Sequence, residues 1–275
     1  MAVLSLSNAH LAFGHVALLD GAAFSLESGE RLALIGRNGT GKSSLLKIVA
    51  GLEKPDDGLL QLTQNLRIRY VAQEPVLDPA ATVFDAVSEG VAEAKAVRAA
   101  YEAHEPGTDL DALQTQIEHL DAWTWEQRVD TTLAHLTLDG ARVVGELSGG
   151  MKKRVALAQM LILDPQLLLM DEPFSALDIQ TRQLMENELL DLWSADRKSV
   201  LFITHDLEEA ISLSDRVIVL SAGPATHPIG DFTIDLPRPR DVAEIRMTPR
   251  FVELHSAIWQ TMKTEVLKGY AQSQH

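Results

Sequence analysis

The chain contains no cysteine, which excludes disulfides, thiolate metal sites and cysteine nucleophiles. It also lacks a long apolar run: nothing approaches the ~18–20 residues that a membrane-spanning helix needs. The N-terminus, MAVLSLSNAHLAFG, has no basic n-region and no cleavage site, so no signal peptide is expected. Basic residues are scarce. The 24 Lys and Arg face 39 Asp and Glu, a formal net charge of −15. A chain this acidic does not bind nucleic acid through a broad basic surface, and direct DNA binding is not expected. What remains is an ordinary globular composition over 275 residues, enough for one large domain or two small ones with ample core.

The most informative stretch is LALIGRNGTGKSSLL, residues 32–46. Its apolar start leads into Gly36-Arg37-Asn38-Gly39-Thr40-Gly41-Lys42-Ser43, which fits G-x-x-x-x-G-K-[ST], the phosphate-binding P-loop. The glycines let the backbone turn tightly, so that several N–H groups converge on phosphate oxygens. A helix starting near Lys42 adds the positive end of its dipole. Lys42 is expected at the β- and γ-phosphates and the Ser43 hydroxyl on Mg²⁺, with Ser44 beside them. A match of this length can also arise by chance, but here both the flanking strand and the flanking helix are present.

In chain order, residues 2–7 and 22–27 read as short strands around a turn at Phe13-Gly14. Phe13 either stacks on a nucleotide base or sits in a core. Residues 30–35 form the strand feeding the P-loop, and 42–50 its helix, stopped by Gly51. Strands are expected over 59–62 and 66–72, the second ending at Gln73-Glu74-Pro75. From about 82 to 139 apolar residues recur at helical spacing, with a break at His104-Glu105-Pro106-Gly107. Trp123 and Trp125 in that segment read as packing residues. Leu147-Ser148-Gly149-Gly150-Met151 precedes a helix over 152–163, a second glycine-rich helix start. Leu167–Met170 reads as a buried parallel strand ending in Asp171-Glu172, where α/β sheets bind ligands. Ser175-Ala176-Leu177-Asp178 opens a helix to about Trp193. Strands follow over 199–204, ending at His205-Asp206, and over 216–220. After Gly223 the chain reads as irregular up to a terminal helix at about 250–268.

Taken in order, these segments resemble the ATP-binding cassette (ABC) ATPases over nearly the full length. Phe13 stands as the adenine-stacking aromatic, 36–43 as the P-loop, Gln73 at the Q-loop and LSGG at 147–150 as the signature. LLLMDE at 167–172 stands as Walker B, SALD at 175–178 as the D-loop and His205 as the switch histidine. The resemblance implies an α/β fold: a mixed core sheet with helices on both faces, an N-terminal antiparallel β-subdomain and an inserted helical subdomain. It implies ATP and Mg²⁺ as cofactors. Asp171 would hold Mg²⁺ opposite Ser43, and Gln73 would sense Mg²⁺ and the γ-phosphate. Glu172 would act as general base, and His205 would stabilise charge on the γ-phosphate. Ser148, Gly149 and Gly150 would meet the γ-phosphate held by another copy, with Asp178 at the same junction. The expected working unit is therefore an ATP-dependent homodimer with two sandwiched sites.

The resemblance divides along the chain. Residues 1 to about 158 look like the first cassette of the ABC-F class, the soluble twin-cassette ATPases of the Uup type. LAFG at 11–14, the run 18–51, VFDAVSEG at 83–90, HLDAW at 119–123 and LSGGMKKRVALAQ at 147–159 carry this. From about Leu161 the chain looks like the ATPase subunit of nitrate, sulfonate and taurine importers, through 171–193, 200–221 and DLPRPRD at 235–241. The expectation is a composite chain with a seam at roughly 150–165, engineered or recombined. As domains, 1–75 with 151–225 would form the nucleotide-binding core, 76–150 the helical subdomain and 226–275 a C-terminal extension. The function implied is the energy-coupling ATPase of an importer, with membrane-spanning subunits as partners and a cytoplasmic place at the inner face of the membrane. The alternatives are a soluble translation-associated ATPase and a chimera without a native partner. Ribosome binding is not expected, because the linker between twin cassettes is absent.

Overall fold

The computed structural model describes residues 1–104, 109–175, 177–195 and 198–272. These residues form two compact units, one of 1–73 with 165–275 and one of 74–164.

The first unit begins with two long strands, β1 (Ala2–Phe13) and β2 (Val16–Glu27), joined at Gly14-His15. Both are twelve residues long, well beyond the short strands expected. The reason is a change of phase. Leu4 and Leu6 are buried, then Ala9 and Leu11, because the register shifts between Leu6 and Ala9, where Asn8 takes φ 49°. Gly21, at φ 68°, marks the matching break in β2. Such bulges interrupt the alternation that identifies a strand in a sequence without ending the strand. Next come β3 (Arg31–Ile35), α1 (Lys42–Val49), β4 (Asp57–Leu62) and β5 (Ile68–Val71).

The second unit holds α2 (Val83–Ser88), α3 (Ala92–Ala103), α4 (Leu110–Leu120), α5 (Trp125–His135) and α6 (Gly149–Leu161). Thr82 caps α2 by accepting from the Asp85 N–H at 3.1 Å, and Asp109 caps α4 through the Ala112 N–H at 3.0 Å. At Gly90 a Cβ would lie 2.5 Å from the Gln159 carbonyl oxygen, so only glycine allows α6 to pack there. α3 ends at His104, in the left-handed conformation. The remainder of the expected break, 105–107, lies outside the described residues. Trp125 packs on Phe84 with ring centroids 6.0 Å apart. Trp123 meets Tyr101 edge-on and is half-exposed.

The chain then returns to the first unit with β6 (Leu167–Asp171), α7 (Ile179–Ala195), β7 (Ser199–Thr204), α8 (Leu207–Leu213) and β8 (Arg216–Leu220). After Gly223 it is not irregular throughout, contrary to the sequence reading. β9 (Pro228–Thr233) pairs antiparallel with β8, and α9 (Val242–Ile245) precedes α10 (Pro249–Gln272). β9 is an edge strand starting on a proline, a position where the missing N–H is tolerated.

Two sheets result. One is antiparallel, in the order β2-β1-β4. The other runs β5-β6-β7-β3-β8-β9, parallel except for β9. The mixed core sheet and the antiparallel β-subdomain are thus as the sequence implies. Strands β3, β6 and β7 are buried along their whole length, as expected for parallel strands covered on both faces.

Candidate functional site

Parallel register brings the site residues of the first unit together. Ile35 pairs with Thr204 and Val219, and Asp171 with Ile203. The residues just beyond these strands, Gly36, Glu172 and His205, therefore emerge at one edge of the sheet, where open α/β folds bind ligands.

The P-loop leaves β3 at Gly36 and enters α1 at Gly41. Gly39 and Gly41 have φ 80° and 83°. A Cβ on Gly41 would also lie 2.6 Å from Leu18 Cγ, so both conformation and space require glycine there. Gly41 stands at the N-cap of α1 without a side-chain cap, which leaves the first N–H groups of the helix for a ligand. The Thr40 hydroxyl donates to the Arg37 carbonyl at 2.8 Å and braces the loop. The Lys42 ammonium is buried and donates to the carbonyls of Gly36 (2.8 Å) and Arg37 (2.6 Å). Burial lowers its pKa, while the Glu172 and Asp171 carboxylates raise it. A cleft of about 410 Å³ is lined by Asn38, Gly39, Lys42, Ser43, Ser44, Gln73 and Glu172, among others. A neighbouring one of about 400 Å³ is lined by Val16, Arg37, Asn38, Thr40 and others. Phe13 is exposed and pairs across the hairpin with Val16.

Three of the expected catalytic groups meet on a single oxygen. Gln73 Nε2 donates to Glu172 Oε2 at 3.1 Å, and His205 Nδ1 lies 3.4 Å from the same atom. Glu172 itself has φ 46°, rare for a side chain of its size. Its N–H donates to the Ile203 carbonyl at 3.0 Å, and its carbonyl accepts from the Ser175 hydroxyl at 2.9 Å. The turn is thus fixed on both sides, an outlier of the kind that gathers at functional sites. Behind it, Asp171 is buried. Tyr70 donates to its Oδ2 at 3.3 Å, and Oδ1 has no hydrogen-bond partner among the described residues. Burial, followed by the Asp171 charge, pushes the Tyr70 hydroxyl up to about 12. The sequence gives no sign of Tyr70; only the β5–β6 register brings it to Asp171.

These residues fit a nucleotide with Mg²⁺. A buried carboxylate oxygen without a partner and a nearby serine hydroxyl are hard donors of the kind Mg²⁺ takes, with phosphates completing its shell. Among the described residues there is no group of three or more His, Cys, Asp or Glu that could hold a metal ion.

The remaining candidates lie elsewhere. Asp178 caps α7 by accepting from the Thr181 N–H at 3.0 Å, which holds its carboxyl below the usual range. Ala176 of the same motif lies outside the described residues. Ser148, Gly149 and Gly150 belong to the second unit. There Ser148 caps α6 by accepting from the Met151 N–H at 3.3 Å, with Ser148 and Gly149 exposed and Gly150 buried.

Residues 19–175 match the family described as ABC transporter. The ATP-binding protein Uup of Haemophilus influenzae is 35% identical over 246 residues, covering 86% of this chain and 37% of Uup. The chain thus spans little more than a third of that relative. The aliphatic sulfonates import ATP-binding protein SsuB of Granulibacter bethesdensis is 38% identical over 239 residues, covering 86% of this chain and 87% of SsuB. Among solved structures, CbiO1 of Clostridium perfringens, part of the transporter complex CbiONQ, matches with a TM-score of 0.64 and 21% identity. That match covers 92% of this chain and 93% of CbiO1, and it shows the shared fold. The chain belongs to the ABC transporter family, as an ATPase that binds ATP with Mg²⁺.

Proposed function

We propose that this chain is the energy-coupling subunit of an ABC importer, and that it hydrolyses ATP as a head-to-tail homodimer against membrane-spanning partner subunits at the inner face of the membrane. The observation that carries the catalytic part is the convergence of Gln73 and His205 on Glu172 Oε2, at the edge of the P-loop cleft. The importer part is supported by the similarity to SsuB along 87% of its length. A small organic or inorganic anion, such as a sulfonate or nitrate, is the proposed cargo.

The residues divide the work as follows. The P-loop amides and Lys42 hold the β- and γ-phosphates. Ser43 and Asp171 would hold Mg²⁺, with Gln73 reaching the same region. When bound, the ion neutralises charge shared between the β- and γ-phosphates. Glu172 orients a water and takes its proton as the water oxygen bonds to the γ-phosphorus and the bond to the β-phosphate oxygen breaks. The hydrogen bond from Gln73 fixes the Glu172 carboxylate, and His205 stabilises negative charge building on the γ-phosphoryl oxygens. Ser148, Gly149 and Gly150 complete the site on the second copy, and Phe13 stacks on the base.

The test is the oligomeric state of Glu172→Gln, by size-exclusion chromatography with light scattering. A dimer that forms only with ATP supports the reading. A monomer with and without ATP, in protein shown to bind ATP, overturns the sandwich. We further propose, on the motifs of the sequence alone, that residues up to about 158 derive from an ABC-F cassette and the rest from an importer subunit; the Uup and SsuB matches each cover 86% of the chain and do not divide at that point. An intact genomic reading frame encoding the whole chain would exclude an engineered origin.

A further inference from the structure

At the amino ends of β3, β7 and β8, on the opposite edge of the sheet from the P-loop, lies a cavity of about 640 Å³. This is within the usual size range of small-molecule sites, roughly 300–1,000 Å³. Its wall combines the start of β3 with the end of α7, the residue before β7, the residue before β8 and the turn after β9.

Arg31 and Trp193 line this wall, and each carries a buried donor with no acceptor among the described residues, Arg31 Nη2 and Trp193 Nε1. Both residues are almost fully enclosed, Arg31 at 2% exposure and Trp193 at 4%. The Arg31 guanidinium lies over the Trp193 ring, 5.4 Å from its centroid, so the two are fixed relative to each other. Lys198 and Arg238 line the same cavity. The local carboxylates are otherwise engaged. Asp215 accepts from the Arg31 N–H at 3.0 Å and from Arg31 Nε at 3.4 Å, and it pairs with Arg238. Glu30 accepts from the Glu27 N–H at 2.7 Å and pairs with Arg216 at 3.2 Å.

A buried donor left without an acceptor is destabilising, more so when it is charged. Two such donors, on residues that line one cavity together with Lys198 and Arg238, suit a ligand that only accepts hydrogen bonds and carries negative charge. Arginine and the indole N–H together suit an oxygen pair on one group. We propose that this cavity is a binding site for a small oxyanion, held by Arg31 Nη2 and Trp193 Nε1 with Lys198 and Arg238 supplying charge. It is separate from the P-loop cleft and does not depend on the transport reading.

The experiment follows the Trp193 indole N–H by ¹H–¹⁵N NMR in the full chain, with its resonance assigned by Trp193→Phe. Sulfate and benzoate are titrated at constant ionic strength in chloride, as a tetrahedral and a planar oxyanion. The expected result is a saturable shift with at least one of them. Arg31→Met should weaken that binding at least tenfold. Lys42→Ala, which disables the P-loop, should leave it unchanged, so failure of the nucleotide reading would show separately. Should Arg31→Met not fold, Lys198→Met should still weaken binding several-fold. Drifts proportional to concentration with both anions, or an unaltered affinity in a folded Arg31→Met, would overturn the proposal.

Discussion

The carboxyl ends of the parallel strands and their amino ends treat charge differently. At the carboxyl ends, Lys42 and Glu172 line one cleft, His205 lies 3.4 Å from Glu172, and the buried Asp171 has an Oδ1 without a partner among the described residues. The backbone there is costly too, with φ 46° at Glu172. At the amino ends, charges are mostly tied into the fold. Arg216 pairs with Glu30 and Asp231, Asp215 with Arg31 and Arg238, and Arg240 is buried against main-chain carbonyls. One edge of the same sheet is arranged to bind a charged substrate and turn it over. The other ties the first unit's late strands and its C-terminal segment in place around the cavity lined by Arg31 and Trp193, with no group of the hydrolytic machinery among its residues. Substitutions at the two edges should therefore separate activity from stability.

The largest effect is expected at the carboxyl end. Glu172→Gln keeps the side-chain shape but removes the group that takes the proton. ATP hydrolysis should fall about 1,000-fold, in line with the loss of a general base. ATP binding and the melting temperature should stay close to those of the parent chain. An activity within tenfold of the parent, measured by phosphate release, would remove Glu172 from the proton-accepting role.

Arg240 provides the converse. Its Nη1 donates to the carbonyls of Ser214 (2.6 Å) and Ser212 (3.1 Å), and its Nη2 to those of Leu236 (3.2 Å) and Ile234 (3.3 Å). Burial lowers its pKa to about 10, so it stays charged at neutral pH. Arg240→Ala leaves these buried acceptors without their donor, at a cost of about 3 kcal/mol. For a chain of this size that corresponds to a drop of about 6–10 °C in melting temperature. Hydrolysis at low temperature should change little. A loss of activity without a change in melting temperature would break the division between the two edges.

How far each edge could be read from sequence follows the same division. Continuous apolar runs mark β6, β7 and β8 almost to the residue, because strands buried on both faces need no alternation. The P-loop is marked by its own glycines and lysine, whereas Gln73, Glu172 and His205 stand out only through their order along the chain, in the resemblance to ABC ATPases. Nothing local selects the amino-end cavity. Arg31, Trp193 and Asp215 are distant in the chain and meet only through the parallel register of β3 with β7 and β8. β9 carries no such mark, because its residues, PIGDFT, include a proline and a glycine and form no apolar run. β1 and β2 were cut short because bulges reverse the inward face partway along each strand.

Between the two behaviours lie acidic groups packed behind His205. Glu186 on α7 is fully buried, and Arg246 Nη2 is 3.2 Å from its Oε2. Burial raises its pKa to about 7, with Arg246 and Arg182 opposing and Asp206 and Glu208 adding to the rise. Glu209, on α8, is also pushed well above its ordinary value, again first by burial and then by Glu186 and Asp206. Asp206 in turn caps α8, pairs with Arg182 at 2.9 Å and directly follows His205. Folded Glu186 thus holds a proton that the unfolded chain has already released above its ordinary value of 4.5. Stability must then fall as pH rises from that value through about 7 and level off above it. Between about pH 5 and about pH 8 the Glu186 part of this loss is about 2 kcal/mol. Glu186→Gln is neutral at every pH, so its urea midpoint should decline less across that range, with Glu209 and Glu30, both raised by burial, contributing to the residual slope. An identical slope in the parent and the variant would mean that Glu186 is ionised in the fold, with Arg246 holding it fully charged at neutral pH.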